Sequence, residues 1–261
     1  MSKFIVIGER IHCISPVIRE AMNNMDPAPI LKRAKEQLDA GADYLDVNIG
    51  PAESNGETLM KWAVTLLQNE FDNVPLCLDT VNKKAIEAVI SVYNRAKGKP
   101  IINSADAGDR VGNIDLAAAN DAIVIALCSK AGVPADNDER MMYCQEMLER
   151  GMGLGMDPED MWFDPLFLVI KGRQDKQKDV LDAVHMLTDM GLKTTGGLSN
   201  VSNGMPKAVR PIVDSAMIAM AMANGLSSAI LNPCDQRMME TIKSCDIIKD
   251  NFLYADSFLD I

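Results

Sequence analysis

Eight short apolar runs, rich in β-branched residues, recur along the chain, and each precedes a longer segment with apolar residues every three or four positions. The runs are FIVIG from Phe4, YLDVNI from Tyr44, PLCLDT from Pro75, PIINS from Pro100, AIVIALC from Ala122, MWFDPL from Met161, KTTGGLS from Lys193 and SSAILN from Ser227. Such alternation is the pattern of parallel βα units. Near-continuous apolarity suits strands buried on both faces. Eight runs about thirty residues apart fit a closed barrel better than an open sheet. The expectation is an α/β chain forming one (β/α)8, or TIM, barrel over residues 1–261, a usual length for that architecture. A doubly wound sheet is the runner-up, but GERIH stands after the first run where a glycine-rich fingerprint belongs.

The intervening segments agree. PAPILKRAKEQLDAGA opens on prolines tolerated in a first helical turn and ends at Gly41. TLMKWAVTLLQNE, KKAIEAVISVYNRA, DNDERMMYCQEMLERG, KDVLDAVHMLTDMG and RPIVDSAMIAMAMANG have the same helical spacing, and only NIDLAAAND is short. No low-complexity tract divides the chain.

A formal net charge of -11 argues against nucleic acid or an anionic membrane as partner, since phosphate binding needs surplus Lys and Arg. Six irregularly spaced cysteines without a C-x-x-C suggest reduced thiols, not a zinc knuckle or disulfide framework. MSKFIVIGER lacks the long apolar region of a signal peptide, and no run approaches the roughly 20 residues of a membrane span. The chain therefore reads as cytoplasmic.

In a parallel barrel the carboxyl ends of the strands face the active site. There the sequence places Glu9, Asp46 with Asn48, Asp79, Asn103, Asp164, and Ser199 with Asn200. An apolar strand that ends in a carboxylate or amide loses burial free energy unless a ligand or neighbour satisfies that group. Carboxylates accept paired donors and amides serve both roles, so the set suits a flat heterocycle such as a pterin. Each residue also has a structural reading. Asp46, Asn48 and Asp79 can cap helices or tie loops, Asp164 before Pro165 can define a turn, and Glu9 beside Arg10 can form an internal ion pair. His12 and His185 stand far apart, and His185 fits a helix face, so no metal is expected. There is no G-x-S-x-G elbow for covalent hydrolysis. Met217, Met220 and Met222 fit core or subunit packing.

The strings GERIH (8–12), DVNIGPA (46–52), LCLDT (76–80), INS (102–104), FDPL (163–166) and GLSNVS (197–202) occur in order over nearly the whole chain. Together they resemble the methyltetrahydrofolate:corrinoid methyltransferases of acetogens and related anaerobes, akin to the folate module of cobalamin-dependent methionine synthase. The resemblance implies that Asp79, Asn103 and Asp164 hold the pterin, with Glu9 and Asp46 supporting the same floor. Asn200 would donate a hydrogen bond beside N5 of the folate, a task for a neutral amide that strengthens its bond in the transition state. Gly197 and Ser199 would shape that loop, and Asn203 and Arg210 would face the corrinoid. The implied reaction is an in-line displacement between N5 of tetrahydrofolate and a methyl on cobalt, in either direction. No D-x-H-x-x-G corrinoid signature is present, so the corrinoid would arrive on a partner protein in transient contact. The resemblance also implies a homodimer.

After GLSNVS the chain reads NGMPKAVRP, unlike the acetyl-CoA-pathway members, which leaves the role of Arg210 open. This departure points to relatives that demethylate glycine betaine or methoxylated aromatics, with methyl flow from methylcorrinoid to tetrahydrofolate. The alternatives are dihydropteroate synthase, which expects a basic residue where Asn200 stands, a non-catalytic folate-binding protein, and a metal-dependent barrel hydrolase or aldolase.

Overall fold

The computed structural model describes residues 3–259. Strands and helices alternate: β1 (Ile5–His12), α1 (Pro16–Asn24) and α2 (Pro27–Asp39), β2 (Tyr44–Asn48), α3 (Gly56–Glu70), β3 (Leu76–Asp79), α4 (Lys83–Ile90), β4 (Ile101–Asp106), α5 (Gly112–Ala119), β5 (Ile123–Leu127), α6 (Asn137–Gly153), β6 (Met161–Asp164), α7 (Gln177–Asp189), β7 (Lys193–Thr194), α8 (Arg210–Ala223), β8 (Ser228–Leu231) and α9 (Gln236–Ile248). The parallel strands run in the order β7-β6-β5-β4-β3-β2-β1-β8. Gly197 bridges to Ile230, and the Ile230 N–H donates to the Gly196 carbonyl at 2.9 Å, which closes the circle. This is the expected (β/α)8 barrel.

Every expected run contains a strand, and three local differences have physical causes. Residues 16–24 form an unanticipated helix. Pro16 presets its first turn, Ile18, Ala21 and Met22 bury one face, and Met25 ends it in the left-handed region (φ 50). KKAIEAVISVYNRA stops being helical at Ile90, because Tyr93 folds under β3, where its hydroxyl accepts the Leu76 N–H at 2.9 Å. KTTGGLS supplies only two strand residues, since Gly196 and Gly197 turn the chain into a short 3-10 segment, Leu198–Asn200. The α2 reading holds: after Ala40, Gly41 adopts φ +94.

The apolar residues divide into an inner plug and an outer shell. Inside the barrel, Ile7, Cys77, Ile101, Ile123, Ile125 and Trp162 pack together, with Tyr44 meeting Trp162 edge to face at 5.9 Å. Outside, strand residues such as Leu45, Leu78 and Phe163 pack against the helices. The plug fills the amino-terminal half of the barrel and leaves space only above it, where the strand ends become polar. Met217 and Met222 on α8 are buried in the shell, whereas Met220 is exposed.

Candidate active site

A cavity of about 490 Å3 lies above the plug, lined by Glu9, Asp46, Asn48, Asp79, Asn103 and Asp164 from the strands and by Gly197, Ser199, Asn200 and Asn203 from the segment after β7. Its volume suits a small ligand. Asn48, Asp79 and Asn103 are Cα partners across β2, β3 and β4, so they form one row. Asp46 lies two residues before Asn48 on the same strand and hence on the same face.

Two strand irregularities aim further side chains inward. Gly8 and Ile11 of β1 oppose Leu45 and Val47, so β1 carries one extra residue beside Glu9. On β4, Asn103 and Ala105 oppose the consecutive residues Ile125 and Ala126, which makes Ser104 the extra residue. Asn103 and Ser104 both line the cavity, an outcome that regular alternation forbids.

Burial dominates the electrostatics. The Asp79 carboxyl is pushed up to about 6 by desolvation, despite the Asn48 amide hydrogen-bonded to Oδ2 and the charge of Arg110. Asp46 is only 2% exposed, and its Oδ1 is buried with no hydrogen-bond partner. Desolvation, and then the neighbouring Asp79, hold its proton well above the usual carboxylate range. Asp164 is likewise raised to about 6 by desolvation, although Oδ1 accepts the Leu166 N–H at 2.7 Å and the Gly197 and Phe167 amides oppose the shift. It therefore serves both readings of its sequence, tying the Pro165 turn while lining the cavity. A protonated or unpartnered carboxyl in a cleft is a functional candidate, because a ligand N–H can supply the missing partner.

Glu9 forms no ion pair with Arg10. Arg10 pairs with Glu36 at 2.9 Å, whereas Glu9 Oε1 accepts the Ser199 hydroxyl at 2.7 Å. Burial raises the Glu9 carboxyl; the Ser199 bond opposes the shift, and the nearby Asp214 adds to it. Asp214, on α8, accepts the Ser202 hydroxyl at 2.7 Å through Oδ2, and its Oδ1 is buried without a partner. Between the two anchored serines, Asn200 is exposed at the cavity. A Cβ on Gly197 would come within 2.8 Å of the Asn200 Nδ2, so glycine leaves the room in which that amide lies.

Arg210 does not join this group: it starts α8, and its Nε donates to the Met205 carbonyl at 2.9 Å. His185 is exposed on α7 opposite Asp189, while His12 lines the cavity with its imidazole pKa lowered by burial. Sequence reasoning did not single out Ser104, Leu166 and Phe167 as lining residues. Phe167 is buried against Gly196, where a Cβ would approach its ring to 2.2 Å, and the Gly-Gly pair was the one available hint. Among the described residues no group of three or more His, Cys, Asp or Glu is placed to hold a metal ion, and no helix is long and apolar enough to cross a membrane.

The structure is a parallel barrel whose strand ends present carboxylates and amides to one cavity above an apolar plug. The chain belongs to the pterin binding enzyme family, which it matches over residues 15–232. It is 26% identical over 262 residues to the methylcorrinoid:tetrahydrofolate methyltransferase of Eubacterium limosum, covering 95% of this chain and 92% of that protein. It is 28% identical over 244 residues to the methionine synthase of Mycobacterium leprae, covering 87% of this chain but only 20% of that longer protein. In overall fold it is similar to DHPS of Yersinia pestis, solved with a pterine-sulfa conjugate (TM-score 0.73, 18% identity, 95% of each chain), and to dihydropteroate synthase of Xanthomonas albilineans (TM-score 0.70, 17% identity, 95% and 93%).

Proposed function

We propose that this chain transfers a methyl group between N5 of tetrahydrofolate and a corrinoid carried by another protein, with net flow from methylcorrinoid to folate. The observation that carries this reading is the charge of the cavity wall: its lining residues include four carboxylates (Glu9, Asp46, Asp79 and Asp164) and no lysine or arginine. Displacing diphosphate, the dihydropteroate synthase reaction, needs cations beside the leaving group. A neutral donor such as the Asn200 amide is instead suited to N5, whose charge changes while no anion departs. The similarity to the Eubacterium limosum methyltransferase along nearly the full length of both chains supports the same reaction.

In this reading Asp79, Asn103 and Asp164 hold the pterin edge, with Asp46 and Glu9 below and beside it. Catalysis consists mainly of positioning, because the nucleophile belongs to the substrate. The corrinoid is a partner's cargo, presented transiently over the cavity mouth, and the source of its methyl group is a demethylation pathway such as that for glycine betaine or methoxylated aromatics. The protein works in the cytoplasm as a homodimer, and residues 1–261 act as one domain.

The test is to mix the protein with tetrahydrofolate and either methylcobalamin or a protein-bound methylcorrinoid, following cobalt absorbance and methyltetrahydrofolate. Loss of the methylcorrinoid spectrum with matching methyltetrahydrofolate is the expected result. Tight folate binding without transfer from either donor would make the chain a folate-binding protein. Consumption of p-aminobenzoate would make it a synthase.

A further inference from the structure

A second, larger depression of about 880 Å3 opens beside the cavity, lined by Ile170, Lys171, Gly172, Gln174, Asp175, Gly204, Met205 and Pro206. It is built from the β6–α7 and β7–α8 connections, which also supply Leu166, Phe167 and Asn203 to the cavity wall. The two connections are tied together, since the Ile170 N–H donates to the Val201 carbonyl at 3.0 Å. Cavity and groove are therefore bordered by the same two connections, with Leu166, Phe167 and Asn203 on the cavity side and Ile170, Lys171 and Gly204 on the groove side.

The lining itself holds one cation, Lys171, and one carboxylate, Asp175, but the two connections that form it carry charge opposite to that of the molecule. Residues 166–176 and 203–210 contain five cations (Lys171, Arg173, Lys176, Lys207 and Arg210) and one carboxylate (Asp175), in a chain of net charge -11. Lys176 is paired with Asp179, and Arg210 is engaged by the Met205 carbonyl. Lys171, Arg173 and Lys207 are exposed and make no side-chain hydrogen bond or ion pair among the described residues. The opposite rim differs. Arg110 is held by Asp106 at 2.7 Å and by Ser104 at 3.0 Å, and Lys130 faces Glu146 at 3.8 Å. Lys171, Arg173 and Lys207 therefore keep unpaired positive charge along the groove, as Arg19 does on α1.

We infer that this groove is the subsite for the glutamate tail of the folate, with Lys171 as its principal cation and Arg173 and Lys207 extending it to γ-linked polyglutamate. The inference rests on the folate reading above. A pterin seated on the carboxylate row carries an aminobenzoyl spacer and then carboxylates, one more for each added glutamate. Those anions are repelled by the cavity wall and by the net charge of the protein, so they settle where cations lack partners. Exposed ion pairs are individually weak and screened by salt, so the effect accumulates with tail length.

The test compares dissociation constants of tetrahydropteroate, tetrahydrofolate and its triglutamate form, by calorimetry at low and high salt, for wild type, Lys171→Glu and the Lys171→Glu/Lys207→Glu pair. All these positions are exposed, so the variants fold. The triglutamate should bind wild type about three- to tenfold more tightly than tetrahydropteroate, the advantage of a few surface ion pairs. That advantage should vanish at high salt and in the paired variant, with tetrahydropteroate affinity unchanged. Equal affinity of the three ligands for wild type, or equal weakening of all three by the substitutions, would overturn the subsite while leaving the pterin site intact. Failure of all three to bind would overturn the folate reading and the subsite with it.

Discussion

On one side of the cavity, Asn48, Asp79 and Asn103 stand in register on three adjacent strands, backed by the apolar plug. On the other side, Asn200 lies exposed on a segment that has left the sheet after a two-residue strand, held mainly through Ser199 and Ser202. The first wall has its side chains fixed by neighbours that would all have to shift together. The second can reorient one amide by a local rotation. Binding energy is best placed on a rigid wall, whereas a group that must strengthen a bond only during transfer benefits from freedom to follow the reacting atom.

The sharpest way to break this contrast is at Asn200. Asn200→Ala should slow methyl transfer by about 10- to 1000-fold, the loss expected for one transition-state donor, and leave folate affinity within a few-fold. Single-turnover kinetics with saturating folate measure the first quantity and calorimetry the second. An unchanged rate would remove the mobile wall from the mechanism.

Next in size are the strand-end carboxylates, Asp79 of the rigid wall and Asp164 at the end of β6. Asp164→Ala or Asp79→Ala should weaken tetrahydrofolate binding by about 1–3 kcal/mol, the range for a polar contact left unpaired. Wild-type affinity in calorimetry would make these residues structural. Their titration sharpens the point. In the fold both carboxyls hold a proton up to about pH 6, whereas in the unfolded chain they lose it near pH 4. Between those values the folded protein binds more protons than the unfolded chain. The contribution of these two groups to the stability of the ligand-free protein should therefore fall as pH rises from about 4 to about 6. Folate affinity should move the other way, strengthening through pH 6 as the carboxylates become better acceptors. Asp164→Asn retains an acceptor for the Leu166 N–H but does not ionise, so thermal denaturation of this variant should lose part of the pH slope.

These two walls were unequally legible in the sequence. Eight apolar runs are enough to call for a barrel, and the Asp or Asn near the end of several of them collects Asp46, Asp79, Asn103 and Asp164 at one end, because strand polarity is a one-dimensional signal. Glu9 was collected with them as a strand-end carboxylate, whereas Ser104 reaches the cavity through a one-residue bulge, which depends on pairing with a neighbouring strand and leaves no mark in local composition. Phe167 depends on the absence of a side chain at Gly196, about thirty residues away. Arg210 is the first residue of α8 and lies outside the cavity lining, a boundary that residues 203–210 do not announce. Ser199 and Asn200 were collected at a strand end, but the role of Asn200 came from the family resemblance, since a short polar segment has no periodicity to read.

The smallest expected effect tests whether the mobile wall is anchored or merely loose. Glu9 and Asp214 each accept a serine hydroxyl at 2.7 Å, on either side of Asn200. Asp214 has no other side-chain partner, and its carboxyl is raised to about 6 chiefly by burial, with Asp235 adding to the shift and Arg210 opposing it. Removing the Ser202 hydroxyl takes away the carboxyl's side-chain donor and leaves it the Ser202 backbone N–H alone, a cost of about 1–3 kcal/mol in stability. Ser202→Ala should therefore lower the unfolding midpoint. It should also reduce kcat by about two- to tenfold with folate affinity unchanged, because Asn200 keeps its identity but spends less time over N5. Ser202→Thr, which restores the hydroxyl, should recover most of kcat. If the alanine variant loses stability but keeps full kcat, the serine serves the fold alone, and the position of Asn200 is set by Gly197 and the Glu9–Ser199 bond.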